Sequence, residues 1–179
     1  KSIPDIVAYG KMLTGGYLTM AATLANKKIY DSFSGEFYDW KHLFHGHTYT
    51  GNPIAAAVAN ENIHMYEKHN LIKKIQKTSK VFEKFYKEIK EISVVGDIRH
   101  KGMLMGIELV SNKEKKKPIH TKKSINKIFF EEGKKQGIYL RTLGNIVMLV
   151  PPLSIQENEL EMLLSRAIKT IQAAKSKII

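Results

Sequence analysis

Lys11 stands where an apolar run of the sequence meets a glycine-rich segment. The run Ile6–Ala8 is typical of a buried strand, Gly10 interrupts it, and Gly15–Gly16 turns the chain back. An amine held at the end of a strand is partly stripped of water, and desolvation makes a lysine a usable nucleophile. Such an amine can bond covalently to a carbonyl compound, whereas the alternative is a solvated lysine in a turn.

Residues 45–53 combine glycines and hydroxyls with the start of a helix. Asn52 is a favourable N-cap and Pro53 suits the first helical position, so the sequence predicts that a helix begins here. Unpaired N–H groups and the helix dipole make such an end a ready anion site. Two threonines and two glycines precede it: Thr48, Thr50, Gly46 and Gly51. The stretch suits a phosphate group, although an ordinary loop and helix cap would carry the same pattern.

Together these stretches resemble the class III pyridoxal-phosphate aminotransferases. The strings Lys-Met-Leu-Thr-Gly-Gly-Tyr-Leu at 11–18 and His-Gly-His-Thr-Tyr-Thr-Gly-Asn-Pro at 45–53 carry the resemblance, and the second favours the members that act in biotin synthesis. The resemblance covers the C-terminal part of such an enzyme. It implies the α/β fold of the type I transferases that use this cofactor. Residues 1–90 would complete the large, cofactor-binding domain, and residues 91–179 would form the C-terminal small domain.

The resemblance also implies roles for individual residues. Lys11 would bind pyridoxal 5′-phosphate covalently and then move a proton as the catalytic base. His47 and Thr48 would bind the cofactor of a partner subunit, and Gly46 would contact the substrate at the edge of the same site. The enzyme would therefore be a homodimer with its active site at the subunit interface.

Arg141 is the second candidate for a binding residue. It ends an apolar run beside a glycine turn, where its guanidinium can offer a fork to a carboxylate, although a surface arginine would fit the same pattern. In the resembled family an arginine in this setting, before an apolar strand ending in Pro-Pro, holds the substrate carboxylate. One departure is that Thr142–Leu143 stands where the biotin-pathway members often carry proline and an aromatic residue.

The implied reaction moves the amino group of S-adenosylmethionine to 8-amino-7-oxononanoate and gives 7,8-diaminononanoate. A class III transaminase acting on ω-amino acids, diamines or ornithine is the alternative. The family's carboxylate for the pyridine nitrogen and its stacking aromatic residue precede the matched part. We therefore expect the 179-residue chain alone neither to bind the cofactor tightly nor to turn over.

Composition argues against several other classes of protein. The formal net charge is +12, but only three of the 29 basic residues are arginines, the residue that nucleic-acid readers favour. The lysines alternate with glutamates along predicted helices, which indicates solvated faces, and a basic binding module remains a remote alternative. No run is apolar enough to span a membrane, and a chain without cysteines fits a cytoplasmic protein.

A metal site is a weaker hypothesis for the three neighbouring histidines, His42, His45 and His47. No cysteine or carboxylate lies at a ligand-like spacing from them, so we predict that no metal binds here.

The sequence also predicts the elements around the candidate residues. A helix capped by Asn26 comes first, and further helices are expected over 53–68, 71–89 and 122–136. Strands are expected at 94–95 and 103–110, with a hairpin of 138–141 and 146–150 and a final helix that begins at a Ser154–Glu157 capping box.

Overall fold

The computed structural model describes residues 2–179. The chain divides into two compact units, one ending at Leu71 and the other beginning at Ile72. The sequence places the boundary of the family's domains near residue 90, about twenty residues later. The difference concerns the helices that follow Leu71, which pack with the second unit here.

The first unit is built on a two-stranded antiparallel sheet and one long helix. Strands β1 (Ile6–Tyr9) and β2 (Ala22–Ala25) pair along their whole length. A single 3₁₀ turn, Lys11–Thr14, follows β1 directly. Helix α1 (Lys27–Ser32) follows β2, and helix α2 (Pro53–Lys68) completes the unit.

The predicted helix caps are confirmed. The Asn26 side chain accepts a hydrogen bond from the N–H of Ile29 at 3.0 Å, and Asn52 accepts one from Ala55 at 3.0 Å. Each cap satisfies one of the backbone donors that a helix leaves unpaired at its first turn. The second cap fixes the point where the loop of residues 45–52 enters α2.

The predicted burial of strand β1 is wrong for this chain. Ile6 is 55% exposed, and among the described residues of this unit the buried side chains are Thr14, Ala55 and Ala59. A two-stranded sheet has no further strands to extend its apolar face, and such a sheet is marginal without additional packing. The first unit therefore exposes most of its large apolar side chains.

The second unit is organised around a four-stranded antiparallel sheet. Its strands are β3 (Val95–Lys101), β4 (Leu104–Leu109), β5 (Arg141–Leu143) and β6 (Ile146–Leu149), in the order β3-β4-β6-β5. The hairpin of β5 and β6 turns through Gly144 and Asn145, and Gly144 has a φ of 58°, which suits glycine in a two-residue turn.

Four helices accompany this sheet: α3 (Leu71–Thr78), α4 (Val81–Glu91), α5 (Ile125–Lys135) and α6 (Glu157–Ile178). Fully buried side chains from the helices and strands form one core, including Phe82, Phe129, Val147, Leu164 and Ile171. Nearly all of the buried apolar side chains of residues 2–179 belong to this core, and the sheet it packs against includes the strand that carries Arg141.

Several element boundaries differ from the predicted ones. The expected helix over 71–89 is two helices, because Ser79 bonds through its hydroxyl to the Gln76 carbonyl at 3.2 Å and competes with the helical pattern. The last helix has Gln156 and Glu159 as its capping box in place of Ser154 and Glu157. The first hairpin strand begins at Arg141 rather than at residue 138.

Candidate functional site

Lys11 lies at the first position of the 3₁₀ turn, immediately after β1 and Gly10. Its backbone φ is 48°, in the left-handed region that side chains other than glycine rarely adopt. That conformation costs of order 1–2 kcal/mol and persists only where surrounding contacts enforce it. The Lys11 side chain is exposed, so the expected desolvation of its amine is wrong for the 179-residue chain.

The turn that carries Lys11 is fixed by contacts within the first unit. The buried Thr14 hydroxyl donates a hydrogen bond to the Leu18 carbonyl, which closes the glycine-rich segment. The Asn62 side chain on α2 donates to the carbonyls of Met12 at 2.7 Å and Leu13 at 3.2 Å. The turn therefore rests on the long helix as well as on the end of β1.

Residues 45–52 line a cleft of about 1500 Å³ in the first unit. The cleft has a mixed wall of loop, strand and helix residues, among them Gly46, His47, Thr48, Met20 and Ile29. Lys11 is absent from the residues that line it. The structure thus keeps the predicted phosphate-binding loop together but does not bring that loop and Lys11 of the same chain to one cleft.

The loop before α2 has room for an anion. A Cβ built on Gly46 or Gly51 would meet no atom within 4 Å, so both backbones face open space. The Thr50 hydroxyl lies 3.4 Å from Nδ1 of His45, and Thr48 is exposed. Hydroxyls, open glycines and a helix N-terminus are donors that suit a phosphate, so these residues fit the cofactor that the resemblance implies.

Of the three histidines, His45 and His47 lie against each other, and His42 lies among aromatic rings. The His45 and His47 rings lie 4.6 Å apart, and the His42 ring lies 4.6 Å from that of Phe44 and 6.1 Å from that of Phe37. Within residues 2–179, no group of three or more histidine, cysteine, aspartate or glutamate side chains has the arrangement of a metal site. His42 accordingly belongs to an exposed aromatic cluster.

Arg141 lies in the second unit, at the start of edge strand β5, opposite Met148. Its side chain is exposed. Among the ion pairs of residues 2–179, Arg99 has two, with Asp97 at 3.3 Å and Glu108 at 3.4 Å, and Arg141 has none. The guanidinium of Arg141 is therefore available to a carboxylate from outside the chain.

The residue after Arg141, Thr142, is held through its backbone. The N–H of Thr142 donates to the Asn126 side-chain oxygen on α5 at 3.0 Å, and Thr142 is buried. A proline at this position has no N–H and could not make that bond. The N–H of Thr142 thus ties the start of β5 to α5.

Sequence reasoning missed Asn62, Asn126 and Glu132. Asparagine is a poor residue for a helix interior, so Asn62 within the alanine-rich α2 was a signal that its side chain has a partner. Glu132 is buried between Lys135 at 2.8 Å and Lys177, and the hydrogen bonds from these two lysines lower the pKa of its carboxyl. No local sequence pattern predicts the contact between Glu132 and Lys177, since these residues are 45 positions apart.

One further finding concerns membranes. Among the helices of residues 2–179, none combines the length and apolar character that a membrane crossing requires.

Comparisons with known proteins agree with the resemblance. Residues 1–171 match the family model described as aminotransferase class-III. The chain is 44% identical over 171 residues to the adenosylmethionine-8-amino-7-oxononanoate aminotransferase of Methanocaldococcus jannaschii, covering 96% of this chain and 37% of that protein. It is 43% identical over 158 residues to the enzyme of the same name from Staphylococcus aureus, covering 88% of this chain and 34% of that protein.

Solved structures give the same result for the fold. The crystal structure of the M. jannaschii aminotransferase superposes with a TM-score of 0.88, covering 96% of this chain and 39% of that one at 44% identity. The ω-transaminase of Pseudomonas jessenii in complex with PMP superposes with a TM-score of 0.88 at 26% identity, covering 98% and 39%. The predicted α/β fold of type I transferases is confirmed.

These matches have a limited extent, because the chain spans little more than a third of the length of the curated relatives. Within that extent the match is nearly continuous and includes both strings that carry the resemblance. The family's cofactor is pyridoxal 5′-phosphate. The chain belongs to the class III aminotransferase family.

Proposed function

We propose that this chain is the C-terminal part of an aminotransferase of biotin biosynthesis, with S-adenosylmethionine as amino donor and 8-amino-7-oxononanoate as acceptor. The observation that carries the proposal is the Lys11 turn, a lysine in a strained conformation held directly after a strand. Its support is the 44% identity to a protein that bears this activity in its name. The product would be 7,8-diaminononanoate.

In this proposal Lys11 Nζ holds the cofactor covalently and afterwards carries a proton to and from the reacting carbon. Pyridoxal phosphate, when bound, supplies an aldehyde for the amine and a sink for the electrons of the broken C–H bond. Thr48 and His47 of the partner subunit, with the neighbouring backbone, hold the cofactor and its phosphate, and Gly46 lies beside the substrate. Arg141 holds the carboxylate of the acceptor through its fork.

A homodimer is part of the proposal. The cleft lined by His47 and Thr48 does not include Lys11 of the same chain, which supports a site composed from two subunits. The first unit also exposes large apolar side chains such as Tyr17, Trp40 and Phe44, at 85%, 70% and 74%. Apolar surface on this scale marks a region that is covered in an assembled protein.

Residues 1–90 would then complete the large domain, and residues 91–179 would form the small domain that brings Arg141 to the substrate.

The location is proposed to be cytoplasmic, on the ground that the chain has no cysteine. A rice protein named "Probable gamma-aminobutyrate transaminase 3, mitochondrial" is 31% identical over 175 residues, so a different class III reaction is the competing proposal.

Amino-donor specificity tests this proposal. The complete enzyme that carries this chain is incubated with 8-amino-7-oxononanoate and one donor at a time: S-adenosylmethionine, γ-aminobutyrate, ornithine or a diamine. We expect 7,8-diaminononanoate to form with S-adenosylmethionine at a rate at least tenfold above the other donors. A parallel reaction pairs γ-aminobutyrate with a 2-oxo acid as the amino acceptor. Formation of succinic semialdehyde and the matching amino acid there, with no 7,8-diaminononanoate from any donor in the first assay, would replace the proposed reaction by the competing one.

A further inference from the structure

We propose that Asn62 is a positioning residue for Lys11, acting through the backbone of the 3₁₀ turn. The inference rests on the proposed function, since it concerns the lysine to which that function assigns the cofactor. Asn62 lies on α2, and its amide nitrogen reaches the carbonyls of Met12 and Leu13 at 2.7 and 3.2 Å. Asn62 thus binds the two residues that directly follow Lys11, from a distance of about fifty residues along the chain.

The turn needs such a partner because of its own geometry. A 3₁₀ helix of one turn leaves its last carbonyls without partners inside the helix. The Met12 carbonyl accepts a bond from Gly15 N–H at 3.2 Å, and Asn62 adds a donor to it and to the Leu13 carbonyl. One amide group therefore closes the end of the turn that Lys11 begins.

The face of α2 that carries Asn62 is shaped for this contact. Ala55, Ala59 and Asn62 recur at the spacing of one helix face, and the two alanines are buried. Their small side chains let the backbone of the turn approach the helix. A Cβ built on Gly15 would lie 3.0 Å from Oδ1 of Asn62, so glycine at this position leaves the room that the amide occupies.

The strain at Lys11 shows what the contact achieves. Its φ of 48° is unfavourable for lysine, and the turn would relax if nothing opposed it. Gly10 on one side is extended, and its carbonyl accepts a hydrogen bond from Leu13 N–H at 3.1 Å. Asn62 restrains the other side, and the Lys11 side chain leaves the backbone in the direction that this restraint sets.

The test uses two variants that lack the amide N–H groups bonded to the Met12 and Leu13 carbonyls. Asn62→Leu keeps the approximate side-chain volume, and Asn62→Asp keeps the side-chain shape but presents a carboxylate. Asn60→Leu is the matched control, because Asn60 is an exposed asparagine on the same helix. The first readout is hydrogen–deuterium exchange of the cofactor-free complete enzyme, at the amides of Leu13 and Gly15. Loss of two ordinary hydrogen bonds predicts about tenfold to thirtyfold faster exchange there in both Asn62 variants and no change in the control.

The second readout is the reaction of Lys11 with pyridoxal phosphate, followed by absorbance, together with steady-state kinetics. We expect Asn62→Leu to slow covalent attachment about tenfold and to lower kcat, while KM for the amino acceptor stays within twofold of the wild-type value. A variant that merely loosens the fold would change both parameters and would also lower the melting temperature of the enzyme.

The two proposals fail in different ways. If the wild-type enzyme bonds the cofactor at Lys11 and Asn62→Leu matches it in exchange, attachment rate and kcat, the positioning role is overturned and the proposed function stands. If Lys11 is not the attachment site, the proposed function is wrong, and the exchange measurement alone decides whether Asn62 holds the turn.

Discussion

Replacement of Arg141 by alanine is expected to weaken binding of the amino acceptor far more than binding of the cofactor. Arg141 is exposed at the start of β5, and its guanidinium has no ion pair among residues 2–179. Since no partner in the chain competes for it, the whole interaction with a substrate carboxylate is lost in the variant. Because Arg141 has no acidic partner among residues 2–179, the alanine variant also leaves no buried carboxylate without its ion pair.

The size of the effect follows from the kind of bond. A hydrogen bond to a charged group contributes about 1.5–3 kcal/mol, and each 1.4 kcal/mol is a factor of ten. We therefore expect KM for the acceptor to rise by about tenfold to 140-fold in Arg141→Ala. Arg141→Lys keeps the charge but loses the planar fork, so its KM should lie between those of alanine and wild type.

The assay is steady-state kinetics of the complete enzyme with the acceptor varied, together with titration of the cofactor by absorbance. Arg99→Ala is the matched control, because Arg99 is also exposed on a strand of the same sheet but is paired with Asp97 and Glu108. Its KM should stay near the wild-type value. An equal rise of KM in Arg99→Ala, or equal damage to cofactor affinity in Arg141→Ala, would refute the assignment.

Two further predictions concern the 179-residue chain itself. The pKa of Glu132 is lowered by hydrogen bonds from Lys135 and Lys177, so its contribution to stability is present above its ordinary pKa of 4.5 and is lost as pH falls through the lower folded value. The melting temperature of Glu132→Gln should lie below that of wild type at pH 7, and the gap should close in acid; a gap independent of pH would contradict this. The chain alone should also bind pyridoxal phosphate weakly and show no transaminase activity, since its first unit buries few side chains; a clear absorbance band from the bound cofactor would refute that.

Local rules predicted the elements around the candidate site well. Asn26 and Asn52 cap their helices as expected, because a cap depends on a bond to a backbone N–H three residues away. Gly144 and Asn145 likewise form the turn of the predicted hairpin. Chemistry of this kind depends on neighbours in sequence, which a sequence pattern contains.

Features that depend on distant residues were not predictable in the same way. Of the expected strand at 94–95, Val95 begins β3 and Val94 lies in the turn before it, and pairing with β4 extends β3 to Lys101 across polar residues. The hydrogen bonds from Asn62 to the carbonyls of Met12 and Leu13 join parts of the chain about fifty residues apart. Lys11 is exposed in the 179-residue chain, where its position after a strand predicted a desolvated amine.

The most direct measurement identifies which of the many lysines bonds to the cofactor. The complete enzyme is incubated with pyridoxal phosphate, reduced with borohydride to make the C–N bond permanent, digested and analysed by mass spectrometry. The proposal predicts that the added mass lies on the peptide containing Lys11 and is absent from the Lys11→Ala variant. A stoichiometric label on a different lysine, unchanged in Lys11→Ala, would contradict it.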